Sequence, residues 1–204
     1  CATLGSDECG KGDYFGPLVV VAVLLERIDV AELYASGLAE SKRISDEQAL
    51  TMGAALRARY PFAVRRLDPP DYNRAHQEIG NLNPLLARLH GEAIRELARP
   101  GLHVLVDQFG KEELVAGELK GLDIDLEQRP RAEEHPAVAA ASVIARQEFL
   151  EALAELSREA AVDLRKGAGA PVDRAGREYI SIHGEQALGQ VAKLHFKNTQ
   201  RVLG

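Results

Sequence analysis

The chain has 204 residues, 46% of them apolar, 27% charged and 5% aromatic, and a formal net charge of −6. That length and balance allow a packed core without staples, and they exclude a disordered chain, a collagen and a disulfide scaffold. No apolar run reaches the roughly 18 residues of a membrane span, so no membrane partner is expected.

Cys1 and Cys9 are the two cysteines. They lie too close together for a bridge to close a useful loop, so reduced thiols and a cytoplasmic location are expected. Residues 1–4 show no basic stretch followed by an apolar one, so no signal peptide is expected. The missing methionine reads as a trimmed or cloned start. Residues 3–7 and 18–25 read as strands, the second apolar throughout and therefore buried on both faces. Between them lies Gly10-Lys11-Gly12-Asp13-Tyr14-Phe15-Gly16-Pro17, dense in turn residues. Residues 45–59 read as a helix, with Ser45 as N-cap and Gln48 completing a capping box. Residues 62–67 alternate like a strand that ends at Asp68-Pro69-Pro70.

Residues 84–99 form a strong helical pattern, stopped by Pro100-Gly101. Residues 102–106 make an apolar strand that runs into Asp107, and residues 122–126 alternate. The longest helical pattern covers 137–158 and opens on Ala137-Val138-Ala139-Ala140-Ala141-Ser142, small residues that let a helix lie close to a sheet. After a break at 167–171, a last amphipathic segment starts near Asp173. This order predicts an α/β fold, a mixed sheet covered by helices. One domain over 1–204 is expected, with a core over about 1–163 and a helical part over about 164–204. The second part carries seven basic and three acidic residues, a net +4 against −10 for the remainder. It reads as a phosphate-facing surface on an otherwise acidic chain.

Three acidic positions stand out. Asp7-Glu8 close a strand and run into the glycine-rich turn, where adjacent carboxylates repel unless cations compensate. Asp107 ends an apolar strand, and open α/β sheets collect ligands beyond such ends. Glu133-Glu134 precede the alanine-rich helix, a place acids also occupy for dipole reasons alone. Together they form an oxygen-donor set from separate elements, without a histidine or cysteine at metal-site spacing. That is the chemistry of Mg²⁺ or Mn²⁺ rather than zinc. Two such ions about 4 Å apart support in-line displacement at a phosphodiester. Gly10-Lys11-Gly12 is not a P-loop, because Gly12 and then Asp13 stand where Ser or Thr should follow the lysine. It can still bring backbone amides and one cation to a sugar-phosphate chain. Ser41-Lys42-Arg43 forms a second basic and hydroxyl group. Cys9 reads as a packing residue, and His76, His90 and His135 as structural or surface histidines.

The segment Gly5-Ser6-Asp7-Glu8-Cys9-Gly10-Lys11-Gly12-Asp13-Tyr14-Phe15-Gly16-Pro17 resembles the signature of the type 2 ribonucleases H, in particular the ribonuclease HIII branch. The resemblance continues through Glu40-Ser41-Lys42, Gly80-Asn81-Leu82-Asn83, Val106-Asp107-Gln108-Phe109, Ala137 to Arg146, Lys166-Gly167-Ala168-Gly169 and Lys193-Leu194-His195-Phe196-Lys197-Asn198-Thr199. It implies an RNase H-like five-stranded sheet with flanking helices and a C-terminal helical extension. It also implies an endonuclease that hydrolyses the RNA strand of RNA/DNA hybrids with two Mg²⁺ or Mn²⁺ ions, leaving 5′-phosphate and 3′-hydroxyl ends. By motif position Asp7, Glu8 and Asp107 carry over as metal-binding acids. For the fourth acid the motif context favours Glu133, with Glu134 in reserve. Gly10, Lys11 and Gly12 would lie along the hybrid's minor groove, and Ser41, Lys42, Lys193 and Lys197 would face its backbone.

Two departures matter. The branch usually carries an N-terminal substrate-binding domain, and here the motif begins at residue 6. The related ribonuclease HII branch has a tyrosine in its late loop that selects a lone ribonucleotide, whereas residues 165–171 hold no aromatic residue. Tyr14 and Tyr179 are the other candidates for that contact. The alternatives are an HII-like junction enzyme, a non-catalytic nucleic-acid binder of the same fold, and a hydrolase of small phosphate esters. A monomer is expected.

Overall fold

The computed structural model describes residues 2–36, 38 and 44–204. Strands β1 (Thr3–Cys9), β2 (Leu18–Leu25), β3 (Phe62–Leu67), β4 (Leu102–Asp107) and β5 (Ile124–Arg129) form one sheet in the order β3-β2-β1-β4-β5. β2 runs antiparallel to β1 and β3, while β4 is parallel to β1 and β5 to β4. The parallel register sets Ser6 beside Val106, so Asp7 and Asp107 follow at the same end of two adjacent strands. The helices are α1 (Arg27–Ala35), α2 (Asp46–Arg59), α3 (Pro69–Ile79), α4 (Leu82–Leu97), α5 (Glu112–Glu118), α6 (Pro136–Ala160), α7 (Ala170–His183) and α8 (Lys197–Leu203).

β2 shows why a strand can be apolar throughout. Val19, Val21, Val23 and Leu25 pack in the cluster built with α6, while Leu18 and Val20 face the cluster of α3 and α4. The sheet is therefore covered on both faces. α6 comes closest. A Cβ placed on Gly5 would lie 2.2 Å from the backbone carbonyl carbon of Ala137 and 2.3 Å from the nitrogen of Val138. Only a residue without a side chain leaves room for the helix there. Val172, Ala175, Tyr179 and Val202, from α7 and α8, belong to the same buried cluster as Phe149 and Leu153 of α6.

The capping box at Ser45 forms as expected, with the Ser45 hydroxyl accepting from Gln48 N and the Gln48 side chain accepting from Ser45 N. Three helices depart from the sequence reading. α3 begins where the strand was expected merely to stop, because Pro69 takes the first helical position, where no N–H is required. α1 buries no residue among those described and α5 buries one, Val115, so neither carries a readable apolar stripe. β5 starts at Ile124 rather than 122, since Leu122 N is bonded back to Leu119 in a turn that includes Gly121 at φ 88°. Among the described residues no helix is long and apolar enough to cross a membrane.

Gly5→Ala should destabilise the protein by about 3 kcal/mol, the upper end of ordinary overpacking, because backbone rather than a flexible side chain must give way. Urea unfolding followed by far-UV circular dichroism measures this directly.

Candidate active site

The carboxyl ends of β1 and β4, the loop after β1 and the 3₁₀ turn Ala132–Glu134 meet at one edge of the sheet. Asp7 Oδ1 accepts from Glu8 N at 2.8 Å, and the Asp7 carboxylate also takes a hydrogen bond from Ser142 of α6. Asp107 Oδ1 accepts from Ala132 N at 3.0 Å, which ties the turn before α6 to the end of β4. Glu133 in that turn is buried. Glu134 points outward, with its side chain 62% exposed and paired to Arg131 at 3.2 Å. The structure thus separates the two acids that the sequence left open.

Electrostatics divides the adjacent pair on β1. Asp7 is pushed well above the usual carboxylate range, first by burial, then by the charge of Glu8, with Asp107 adding to it. Glu8 is also opposed by burial, but His90 and Lys11 outweigh that and hold it down at about 2. Lys11 Nζ donates to Glu8 Oε1 at 2.9 Å, and His90 Nε2 lies 3.1 Å from Oε2. The site carries more negative charge than its own cations offset, and every donor in it is an oxygen. That set fits a hard divalent cation. Among the described residues no three of the Asp, Glu, His and Cys side chains close around one point. An open site completed by water and substrate oxygens is what Mg²⁺ prefers over an all-protein cage. Cys9, alongside, is no nucleophile, since burial and then Asp13 and Asp7 push its thiol up to about 12.

Gly10 (φ 96°) turns the chain away from β1, and a Cβ there would meet Pro17 O at 2.2 Å. Lys11 and Gly12 are exposed at the tip, with nothing within 4 Å of a Cβ on Gly12. Asp13 Oδ1 accepts from Gly167 N at 2.6 Å, and Gly167 O accepts from Tyr14 N at 2.9 Å. The late loop and the glycine loop therefore hold each other in place.

Lys193 corrects the sequence reading. It was expected on the surface facing phosphate, and it is fully buried. Its Nζ donates to Asp13 O at 2.8 Å and Gly16 O at 2.6 Å, and it lies 5.5 Å from the centre of the Tyr72 ring. Those two carbonyls face inward from the loop and require a donor that β1 and β2 cannot supply, which draws the lysine under the loop. Lys197, at the start of α8, is exposed. Ser41 and Lys42 lie outside the described residues. Tyr14 and Tyr179 are both buried, so neither ring is available at the surface.

Of the two roles the sequence leaves open for His90, structural or surface, the structure has the first, with the ring buried against Glu8 and Ser6. The signal was one polar side chain within an otherwise apolar face of α4, where Leu85, Leu86, Leu89, Ala93 and Ile94 are buried. A buried imidazole there needs a polar partner.

With this geometry in place, comparison with known proteins is decisive. The sequence profile of the ribonuclease HII family matches residues 4–199, and the chain belongs to that family of type 2 ribonucleases H. Within it, the chain's relatives include ribonucleases HIII. The enzyme of Protochlamydia amoebophila is 38% identical, over 98% of this chain and 68% of its own length. That of Geobacillus kaustophilus is also 38% identical, over 99% and 68% respectively. The crystal structure of Bst-RNase HIII in complex with Mn²⁺ superposes with a TM-score of 0.91 at 38% identity, over 99% of this chain and 69% of that one. The chain is accordingly a metal-dependent nuclease of the ribonuclease H class, acting on RNA in RNA/DNA hybrids.

Two outcomes follow. Glu133→Gln should lower the hydrolytic rate at least about 100-fold, a loss of roughly 3 kcal/mol, while Glu134→Gln stays within about twofold. Initial rates on a hybrid check the ranking. Burial lowers the Lys193 ammonium to about 7 from 10.5. Below pH 7 both folded and unfolded chains hold this proton, and the cost of burying the charge is present in full. Between pH 7 and 10.5 the unfolded chain holds more protons, so stability rises with pH. Unfolding free energy of the wild type should climb from pH 7 to 9.5 relative to Lys193→Met, which lacks the group.

Proposed function

We propose that this chain is an endonuclease that hydrolyses the RNA strand of an RNA/DNA hybrid with two divalent cations, leaving 5′-phosphate and 3′-hydroxyl ends. The observation that carries the reading is the meeting of Asp7, Glu8 and Asp107 with the buried Glu133 turn at one sheet edge, under an uncompensated negative charge. Those four side chains would hold Mg²⁺ or Mn²⁺, and the Mn²⁺ in the Bst-RNase HIII complex supports that choice. The ions, when bound, would supply Lewis acidity for in-line displacement at the phosphodiester.

The chain's own residues do the rest. Ser142 and the backbone N–H of Glu8 orient the Asp7 carboxylate, and Ala132 N orients Asp107. The exposed Lys11-Gly12 tip, turned outward by the buried Gly10, lets a sugar approach Gly12 without a side chain between, which suits reading of 2′-hydroxyls in a minor groove. Lys11, with its side chain 47% exposed, can leave Glu8 for a phosphate. Lys197 contacts the hybrid backbone from the start of α8, next to Phe196, which packs 6.0 Å from Tyr14 of the glycine loop. Ser41 and Lys42 belong to the same backbone-facing set on sequence grounds. The reading includes a single domain over 1–204, a monomer, and a cytoplasmic location, which suits the unbridged Cys9.

Hybrid cleavage in Mg²⁺, with EDTA as control, tests this. Asp7→Asn and Asp107→Asn should each fall below a tenth of the wild-type rate, since lost positioning of the ions costs several kcal/mol. Retention of more than that by either variant would sink the two-ion reading. The late loop holds no aromatic residue and both buried tyrosines are out of reach, so substrates with several consecutive ribonucleotides should be preferred over one ribonucleotide in DNA. The margin should be about 1–3 kcal/mol, the worth of a missing stacking contact. Equal rates on the two would move the chain to the junction-cutting branch.

A further inference from the structure

Glu8 is gripped on both of its oxygens, and the two partners differ in kind. On Oε1 sits Lys11, a half-exposed lysine on the glycine loop. On Oε2 sits His90, whose ring is wholly buried and cannot move away without opening the core. The His90 ring stacks on Phe109, with centroids 5.0 Å apart and planes 17° from parallel. Its Nδ1 lies 2.6 Å from Ser6 Oγ, and that hydroxyl also reaches Val21 O on β2 at 3.1 Å. A carboxylate only accepts, so Nε2 carries the hydrogen that Glu8 receives. The result is a fixed line from the backbone of β2 through Ser6 and His90 to one oxygen of Glu8.

From this juxtaposition we infer that His90 is a positioning residue, set by Ser6, that fixes the Glu8 carboxylate for the divalent cation. Lys11 is the exchangeable partner, free to leave when cation and substrate arrive. The inference rests on the proposed metal-dependent reading of this site. Partners of this kind behind a ligating group typically contribute 10–100-fold to metal affinity or activity.

Two substitutions that differ by one methylene separate positioning from packing. In His90→Asn the amide keeps the Nδ1 place beside Ser6 but falls short of Glu8. In His90→Gln an N–H₂ group takes the Nε2 place and can donate to Glu8. Binding of Mn²⁺ alone, without hybrid, is read from the loss of the free-ion electron paramagnetic resonance signal. His90→Asn should weaken it 10–100-fold, and His90→Gln should recover most of that loss. In hydrolysis, His90→Asn should lower kcat and raise the Mn²⁺ concentration needed for half-activation, with KM for the hybrid within about twofold.

Mn²⁺ affinity of folded His90→Asn within twofold of the wild type, or an equal loss in both variants, would overturn the inference. Should His90→Asn fail to fold, Ser6→Ala decides. It loosens the ring without touching Glu8, and it should weaken Mn²⁺ binding several-fold; unchanged binding would overturn the inference as well. If the wild type bound Mn²⁺ but cleaved no hybrid, the proposed function would fall while the positioning role stood. If it bound no Mn²⁺, both would fall.

Discussion

The close approach of α6 to β1 at Gly5 sets the geometry of everything at the site. Because no side chain intervenes, the helix backbone rests on the strand two residues before Asp7. Ser142, one turn and more along that helix, then reaches the Asp7 carboxylate. The turn that leads into the helix is held to the end of β4 through Ala132 and Asp107, which brings Glu133 in from a distant part of the sequence. A helix that stood farther off would leave those acids on separate elements with nothing to relate them. Preorganisation of this sort is paid for by packing, since a sheet and a helix buried on both sides have little freedom to adjust.

Acids brought together this way repel one another, and the fold relieves only one of the adjacent pair. Glu8 receives two donors and stays ionised easily, whereas Asp7 receives only neutral ones and bears the charge of both its neighbours. The asymmetry has a chemical use. One carboxylate is held in place as a permanent anion, and the other is left with an unmet demand for positive charge. The protein alone is therefore an incomplete electrostatic structure, and a cation is the part that completes it.

Much of this was legible in the sequence because the relevant signals are local. An apolar run of strand length, a capping box and an alanine-rich opening are each set by near neighbours, and β2, α2 and α6 follow them. The acids were legible for the same reason, as charges at the ends of apolar segments. Lys193 was not, because its surroundings come from a loop near the other terminus. In sequence it is one more basic residue of a basic tail, and only the fold shows two carbonyls waiting for it. The partners of His90 were hidden in the same way. Its place on the apolar face of α4 was visible, but its partners, Ser6 and Glu8, lie more than 80 residues away. The helices that bury almost nothing, α1 and α5, left no pattern to read.

The lysine under the glycine loop also bears on how the molecule is made. Asp13 and Lys193 are 180 residues apart, and Gly167 and Asn198 complete the same group of contacts. During synthesis β1 and β2 leave the ribosome before α7 and α8, so the loop between them lacks its supports until those helices have emerged. Contacts of such long separation form late, after the loop-closing entropy has been met by the rest of the chain. The sheet and its acids can thus assemble on the nascent chain while the loop that would admit a nucleic acid stays unbraced.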